Sequence, residues 1–207
     1  MPLRQPGLGA DHRRRPGCVA RGDRAGAERG RKIRAPRGAN TRPTGAKVRE
    51  AIFNILGPLS PDAVLDLYAG TGALGIEALS RGAGHATFVE RDGRALAALH
   101  RNLREFELTA RARVMDSGVP IALQRLTDER TQRFSWVFVD PPYAAGEVER
   151  VLAWLSGGEL LDNGAVVIVE HDRRHQPPER VGALEMVDRR FYGDTGLSFY
   201  RRHRELA

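Results

Sequence analysis

The sequence predicts an α/β fold in which a mostly parallel β-sheet is covered by helices on both faces. From residue 63 onward, short apolar runs typical of strands alternate with amphipathic segments typical of helices, which is the pattern of successive βαβ units. Five of the predicted strands end in an acidic residue, at spacings of 24 to 30 residues. Two further strand-like runs joined by a short turn predict a C-terminal antiparallel hairpin. With 207 residues, the chain can bury one good core.

The first predicted element of the main domain is a helix in the segment RPTGAKVREAIFNILGP. Thr44 is a candidate N-cap, and the Gly-Pro pair at residues 57–58 ends the helix. One apolar stripe is formed by Val48, Ala51, Ile52, Ile55 and Leu56. Phe53 falls outside this stripe and beside Arg49, so it is a candidate for contact with a ligand as well as for covering a neighbouring segment.

The remaining elements follow in regular alternation. The segments predicted as strands are AVLDLYAG, HATFVERD, ARVMD, FSWVFVD and GAVVIVEH, and the helices between them are ALGIEALSRG, RALAALHRNLREFEL, VPIALQRL and EVERVLAWLS. One face of the second of these helices carries Leu96, Leu99, Leu103 and Phe106. After the loop DRRHQPPERVG, the runs ALEMVDRRFYG and GLSFYRRH form the predicted hairpin. The sheet is therefore expected to contain seven strands.

Positive charge is concentrated at the N-terminal end of the chain. Residues 1–50 hold 14 Lys or Arg and 4 Asp or Glu, whereas the whole chain has a net charge of +7. Nearly all basic residues are arginines, which suit bidentate phosphate contacts, so a polyanionic partner such as nucleic acid is one interpretation. An arginine-rich solvated tail is the other. We predict a partly disordered basic arm over residues 1–40 and a main domain over residues 41–207.

Composition also excludes several classes of protein. No apolar run approaches the roughly 20 residues of a membrane helix, and no apolar segment follows the N-terminal arginines as it would in a signal peptide. The single cysteine, Cys18, has no Cys or His cluster around it with the spacing of a metal site. We therefore expect a cytoplasmic protein with no membrane partner and no metal. Because no apolar patch calls for a second subunit, we expect a monomer.

The acidic residues at the ends of the predicted strands suggest a ligand site. They are Asp66, Glu90, Asp116, Asp140 and Glu170. If the strands are parallel, these carboxylates lie at one edge of the sheet, and ligands of open α/β sheets bind in the crevice outside that edge. Acids are also common where strands reach solvent, which would explain one or two of the five.

A glycine-rich turn of the form G-x-G-x-x-G follows the first strand, at residues 70–75. Glycine permits a tight turn and a close approach of the backbone to a ligand, and the N–H groups of a helix N-terminus can hold an anion. Glu90 lies 20 residues after Gly70 and could accept hydrogen bonds from both hydroxyls of a ribose. We therefore expect an adenosine-type ligand, either a dinucleotide or S-adenosylmethionine.

Asp66 favours S-adenosylmethionine as that ligand. It lies four residues before the first glycine of the turn, where a carboxylate would repel a pyrophosphate and attract the ammonium group of a methionine. Asp116 could accept a hydrogen bond from the adenine amino group, and capping of the next helix is its alternative role. The sequence thus predicts a methyl donor at the edge of the sheet.

The segment VFVDPPYAAG, residues 137–146, predicts the catalytic site. Pro141 and Pro142 lack backbone N–H groups and fix an extended turn, so the neighbouring carbonyls stay available as acceptors. If Asp140 accepts one hydrogen of an exocyclic amine and the Pro141 carbonyl accepts the other, the nitrogen lone pair can point at the methyl donor. Tyr143 would then stack on a base that has left its helix or loop. A proline turn with a tyrosine packed in the core is the structural alternative.

These blocks of sequence resemble a known family. The Asp-Pro-Pro-Tyr segment and the glycine turn are similar to those of the amino-directed Rossmann-like class I methyltransferases. Together with RPTGAKVREAIFNIL, VLDLYAGTGALGIEALSRGA and FYGDTGLSFYRR, they resemble the RsmD family over about residues 30–202. The resemblance implies methyl transfer from S-adenosylmethionine to the N2 amine of guanine 966 in 16S ribosomal RNA. The implied partner is that RNA or the assembling small ribosomal subunit.

The resemblance also implies roles for individual residues. Catalysis is centred on Asp140, Pro141, Pro142 and Tyr143. The cofactor is held by Asp66, Tyr68, Ala69, Gly70, Thr71, Gly72, Glu90, Arg91 and Asp116. The expected RNA contacts are Arg37, Arg42, Thr44, Arg49 and Phe53. Three alternatives stay open: methylation of adenine N6, an NAD-dependent oxidoreductase suggested by the glycine turn, and a noncatalytic RNA-binding protein carried by the basic arm.

Overall fold

A computed structural model describes residues 43–59, 62–130, 132–142 and 146–203. The helices in this part of the chain are α1 Pro43–Leu56, α2 Ala73–Ser80, α3 Gly93–Glu105, α4 Val119–Glu129 and α5 Glu147–Gly157. The strands are β1 Ala63–Leu67, β2 His85–Glu90, β3 Ala112–Asp116, β4 Phe134–Val139, β5 Leu161–Asp172, β6 Arg180–Val181, β7 Leu184–Tyr192 and β8 Thr195–Arg202. None of these helices is long and apolar enough to cross a membrane. The predicted basic arm lies outside the described residues.

The strands of the described residues form one sheet in the order β3-β2-β1-β4-β5-β8-β7-β6. Strands β1 to β5 are parallel to one another, and the β5–β8, β8–β7 and β7–β6 pairs are antiparallel. This confirms a mostly parallel sheet with a C-terminal antiparallel hairpin. The predicted number of seven strands is wrong, because β6 lies in a segment predicted as a loop. Its two residues pair with Leu184 and Glu185, and so short a strand has no periodicity to detect.

Two apolar cores fill the space between the sheet and its helices. One core joins α1, α2 and α3 to one face of the sheet, and the other joins α4 and α5 to the opposite face. All six residues of β4 are buried, as expected for a parallel strand covered on both faces. Along β1, Val64 belongs to the first core and Leu65 and Leu67 to the second. Because strand side chains alternate, Asp66 projects toward the face that carries α2.

Helix α1 confirms one predicted end and corrects the other. It begins at Pro43, so Thr44 lies in the first turn and is not the N-cap. Proline is favoured at the first helical position because the N–H that it lacks would have no partner there. At the C-terminal end, Gly57 has a φ of 71° and donates its N–H to the carbonyl of Phe53 at 3.0 Å. The helix therefore stops at the predicted glycine.

Phe53 belongs to the core, which corrects the expectation that it contacts a ligand. Its side chain is fully buried, and its ring lies 5.6 Å from the ring of Phe138 on β4, measured between centroids. The arginine that accompanies it is Arg81, whose Cζ lies 5.0 Å from the ring centroid. Arg49, the neighbour on α1, is only half-buried. Of the two roles that the sequence left open for Phe53, the structure supports the packing role, because α1 is buried over a wider arc than its aliphatic stripe.

Candidate active site

The carboxyl ends of β1, β2, β3 and β4 meet at one edge of the sheet, which we call the carboxyl edge. The last residue of β1 is in register with β2 and β4, and Glu90 of β2 pairs with Asp116 of β3. The structure therefore brings four of the predicted acids to this edge: Asp66, Glu90, Asp116 and Asp140. Glu170 is also level with this edge, because Val169 of β5 pairs with Val139, the residue before Asp140, although β5 continues beyond it to Asp172.

Asp66 is a buried carboxylate at the carboxyl edge. Only 2% of its surface is exposed, and its Oδ2 accepts a hydrogen bond from the backbone N–H of Gly75 at 2.9 Å. Burial raises the pKa of Asp66 to about 7, the Gly75 N–H opposes that rise, and the charges of Asp140 and Glu90 add to it. Among the described residues, no arginine or lysine contributes to this balance. A cationic group of a ligand would therefore favour the ionised form of this acid.

The loop after β1 combines a packed glycine with an open one. Tyr68, Gly70 and Gly72 have φ values of 61°, 56° and 84°, and Ala69 donates its N–H to a carbonyl of β2 at 2.9 Å. A Cβ on Gly72 would lie 2.4 Å from Cδ1 of Leu99, whereas a Cβ on Gly70 would meet no atom within 4 Å. Gly72 is therefore packed against α3, and Gly70 borders open space through which a ligand can approach the backbone.

Asn102 of α3 supports this loop, although it is not one of the site residues predicted from the sequence. The residue is fully buried, and its Nδ2 donates to the carbonyl of Thr71 at 2.9 Å. A signal for it exists in the sequence, because Asn102 lies on the face of α3 that carries Leu99 and Leu103. A polar side chain on an apolar face needs a hydrogen-bond partner inside the protein, and here that partner is the glycine-rich loop.

Three backbone N–H groups hold the carboxylate of Glu90. Its Oε2 accepts a hydrogen bond from Gly70 at 2.7 Å, and its Oε1 accepts from Arg91 and Asp92 at 2.7 and 2.8 Å. A carboxylate offers about four acceptor positions, so this arrangement leaves room for one further donor. If Glu90 accepts both hydroxyls of a ribose, one of the present contacts must open. Arg91 itself enters the site through its backbone, and its side chain is exposed.

Asp116 is exposed at the end of β3. Gly118 precedes the first residue of α4, and no side chain forms a capping hydrogen bond there. The alternative role that the sequence left open, capping of the next helix, is therefore wrong. The contact of Asp116 with an adenine amino group stays a prediction.

Tyr68 connects the loop after β1 to the start of α5. Its hydroxyl donates to Oε1 of Glu147 at 2.5 Å, and Oε2 of Glu147 accepts from Arg150 at 2.5 Å. The hydrogen bond from Tyr68 is the main cause that holds the pKa of Glu147 below its usual value, and burial raises the pKa of Tyr68. Because α5 follows the Asp-Pro-Pro-Tyr segment in the chain, this bond joins the two loops that flank the carboxyl edge.

The Asp-Pro-Pro-Tyr segment follows the central strand β4. Asp140 and Pro142 are exposed, and Pro141 is buried. Tyr143 lies outside the described residues, so its stacking role stays a prediction. The same holds for three of the predicted RNA contacts, because Arg37, Arg42 and the side chain of Thr44 are not among the described parts.

Comparison with known proteins gives consistent results across most of the chain. Residues 24–201 match the family model described as Conserved hypothetical protein 95. YlbH of Bacillus subtilis, which is named as an rRNA methyltransferase, is 40% identical over 86% of this chain and 97% of its own length. Ribosomal RNA small subunit methyltransferase D of Escherichia coli is 35% identical over 86% of this chain and 87% of its own length.

Solved structures agree with the fold. A conserved hypothetical protein from Streptococcus pyogenes is similar with a TM-score of 0.70 and 33% identity, covering 75% of this chain and 95% of the other. An RNA methyltransferase from Salinibacter ruber in complex with S-adenosyl-L-homocysteine has a TM-score of 0.57 and 16% identity, covering 80% of this chain and 97% of the other. At that identity the likeness concerns the fold alone.

The sheet order, the glycine-rich loop and these neighbours define a Rossmann-like class I methyltransferase fold. Within that class, the chain belongs to the RsmD family, the family of the ribosomal RNA methyltransferases that it matches. This confirms the resemblance found in the sequence. S-adenosylmethionine is the cofactor that this membership indicates.

Proposed function

We propose that this protein transfers a methyl group from S-adenosylmethionine to the exocyclic N2 amine of a guanine in 16S ribosomal RNA. Position 966 is the target that family resemblance suggests. The observation that carries the proposal is the convergence of Asp66, Glu90 and Asp140 at the carboxyl edge. It gains weight because the relatives are named as ribosomal RNA methyltransferases. The substrate is the naked RNA or the assembling small subunit.

The residues of the carboxyl edge suit S-adenosylmethionine. Asp66 is a buried acid that no cation of the described residues stabilises, so it would hold the methionine ammonium group. Glu90 and Asp116 would contact the ribose and the adenine. The wall of the site would be formed by Tyr68, Ala69, Gly70, Thr71, Gly72 and Arg91. When bound, the cofactor supplies a methyl group attached to a positively charged sulfur.

Asp140 and Pro141 would prepare the guanine amine for reaction. The lone pair of this nitrogen is delocalised into the base, so the amine is a poor nucleophile. The exposed carboxylate of Asp140 would accept one of its hydrogens, and the carbonyl of Pro141 would accept the other. Held in this way, the nitrogen can keep its lone pair from being delocalised into the base and can point it at the methyl donor. Such orientation supplies several kcal/mol toward catalysis, and Tyr143 would stack on the base.

We expect S-adenosylhomocysteine, and not NADH, to raise the melting temperature of the protein. Asp66 lies beside the glycine-rich loop, where it attracts an ammonium group and repels a pyrophosphate. A thermal shift assay with both ligands at equal concentration measures the difference. Stabilisation by NADH alone would favour the oxidoreductase alternative over the methyltransferase.

Methyl transfer in vitro tests the proposed function. Purified full-length protein is incubated with labelled S-adenosylmethionine and either in vitro transcribed 16S RNA or small subunits from cells that lack this gene. The nucleosides are then separated and identified by mass spectrometry. Label in N2-methylguanosine supports the proposal, and label in N6-methyladenosine refutes the guanine specificity. Tight RNA binding without any label would favour the noncatalytic alternative.

Removal of the Tyr68 hydroxyl should slow methyl transfer. Tyr68→Phe keeps the ring but loses the bond to Glu147, so kcat should fall about fivefold, the equivalent of a hydrogen bond worth about 1 kcal/mol. Glu147→Gln keeps an oxygen acceptor and should retain more activity than Glu147→Ala. The effects of Tyr68→Phe and Glu147→Ala should not add, because both break the same contact. Additive losses in single-turnover rates would contradict this coupling.

A further inference from the structure

An aromatic ring and an arginine are paired on the surface of the C-terminal hairpin. Phe191, near the end of β7, is 37% exposed, and the Cζ atom of Arg173 lies 4.9 Å from its ring centroid. Few large apolar side chains of the described residues are this exposed, and they are Ile121, Trp154, Val187 and Phe191. We call Arg173 and Phe191 the surface pair.

The surface pair lies at the same edge of the sheet as Asp140. Phe191 pairs with Gly196 of β8, and Gly196 pairs with His171 of β5, so β7 ends level with the carboxyl end of β5. That end neighbours the carboxyl end of β4, which Asp140 follows. Three strand spacings separate β7 from β4, or about 14 Å at the usual spacing of neighbouring strands.

Arg173 is held in place, and no acid of the described residues forms an ion pair with it. Its backbone N–H donates to the carbonyl of Asp194 at 2.8 Å, and its side chain donates to the carbonyl of Gly193 at 3.4 Å. The next arginine along the chain, Arg174, forms an ion pair with Asp172. A planar cation that is held in place and forms no ion pair within the described part of the chain suits an anionic partner that also has flat rings.

We propose that the surface pair binds an unpaired nucleotide next to the target guanine. This inference rests on the proposed function. A base that leaves its helix or loop to enter a site loses its stacking, and single-stranded RNA is commonly held by stacking on aromatic rings and arginine planes. Arg173 stacks with the neighbouring base and contacts its phosphate, while Phe191 keeps the guanidinium in position.

The test compares RNA binding and methyl transfer by Arg173→Ala, Arg173→Lys and Phe191→Ala. Matched controls are Arg101→Ala, an exposed arginine on α3, and Trp154→Ala, whose exposure of 37% equals that of Phe191. Fluorescence anisotropy with 16S RNA measures affinity over a range of salt concentrations. Methyl-transfer assays give kcat and the KM for RNA, and thermal melting reports stability.

Arg173→Ala should weaken RNA binding and raise the KM for RNA about tenfold, the scale of one lost base stack. Phe191→Ala should change both in the same direction, because the guanidinium loses the ring that keeps it in position. kcat and the affinity for S-adenosylhomocysteine should not change. Arg173→Ala should also reduce the slope of log affinity against log salt concentration by about one, the equivalent of one phosphate contact. Phe191→Ala and Arg173→Lys should leave this slope unchanged. The two controls should behave like the wild type.

Unchanged RNA affinity in Arg173→Ala and Phe191→Ala, with or without a lower melting temperature, would overturn the inference and leave a purely structural pair. Equal losses in the controls would overturn it as well, because the effect would not be local. If the wild type binds RNA but transfers no methyl group, the proposed function fails, and the anisotropy data still decide whether the pair binds RNA.

Discussion

Asp140→Ala is expected to reduce kcat by roughly 10³-fold while cofactor affinity is retained. A group that contacts the reacting atoms typically contributes 10²–10⁴-fold, and Asp140 is the proposed acceptor for one hydrogen of the amine. The carboxylate is exposed beside the proline turn, so its loss leaves no cavity in the core. Single-turnover methyl transfer measures the rate, and calorimetric titration with S-adenosylhomocysteine measures the affinity.

Asp140→Asn separates charge from hydrogen bonding. The amide keeps one oxygen acceptor, so it should be less impaired than the alanine variant if acceptance of the amine hydrogen is the main contribution. Asp128→Ala is a suitable control, because this exposed acid lies on α4 and accepts a hydrogen bond only from Gln124 among the contacts described for it. Wild-type activity in Asp140→Ala would show that the residue has no role in the reaction.

Asp66→Asn should weaken binding of S-adenosylhomocysteine about a hundredfold. Hydrogen bonds to charged groups are worth about 1.5–3 kcal/mol, and each 1.4 kcal/mol is a factor of ten in affinity. The shape of the side chain is preserved, and an amide oxygen can still accept the N–H of Gly75. Asp162→Asn provides a control at the start of β5, where the carboxylate accepts a hydrogen bond from Ser135 at 2.7 Å.

The raised pKa of Asp66 adds a pH test to this prediction. Because its pKa is 3.8 before folding and about 7 in the folded protein, the folded state binds the extra proton between these values. This contribution makes the free protein less stable as pH rises from about 4 to 7, by up to about 4 kcal/mol. A bound ammonium group requires the ionised acid, so cofactor affinity should increase over the same range with release of a proton.

Calorimetry between pH 5.5 and 7.5 in buffers of different ionisation enthalpy measures that proton release. This range stays below the pKa of an α-amino group, about 8. Affinity should fall as pH decreases below 7 in the wild type and should be nearly constant in Asp66→Asn. An equal pH dependence in both proteins would show that Asp66 does not hold the ammonium group.

Much of the fold could be predicted because the parallel strands are fully buried and end in distinctive residues. The strand FSWVFV is a continuous apolar run, and all its residues are buried. Gly57 ends α1 where it was predicted to, with a positive φ. Since parallel strands place their carboxyl ends together, the positions of Asp66, Glu90 and Asp140 at one edge also followed from the sequence.

The features of the fold and of the site that could not be predicted depend on contacts between residues that are distant in the chain. Phe53 is buried because α1 packs against β4, and its cationic neighbour Arg81 is 28 residues away. The bond from Tyr68 to Glu147 spans 79 residues, so no local pattern reveals it. Asn102 was recognisable only as a polar residue on an apolar face, and its partner in the glycine-rich loop was not.

Mass mapping of small-subunit ribosomal RNA from cells with and without this gene tests the central claim most directly. Loss of one N2-methylguanosine on deletion is predicted, with recovery when the wild-type gene is restored and no recovery with Asp140→Ala. Unchanged N2-methylguanosine in the deleted strain, or recovery by the Asp140→Ala variant, would contradict a guanine-directed methyltransferase that works through the acids of the carboxyl edge.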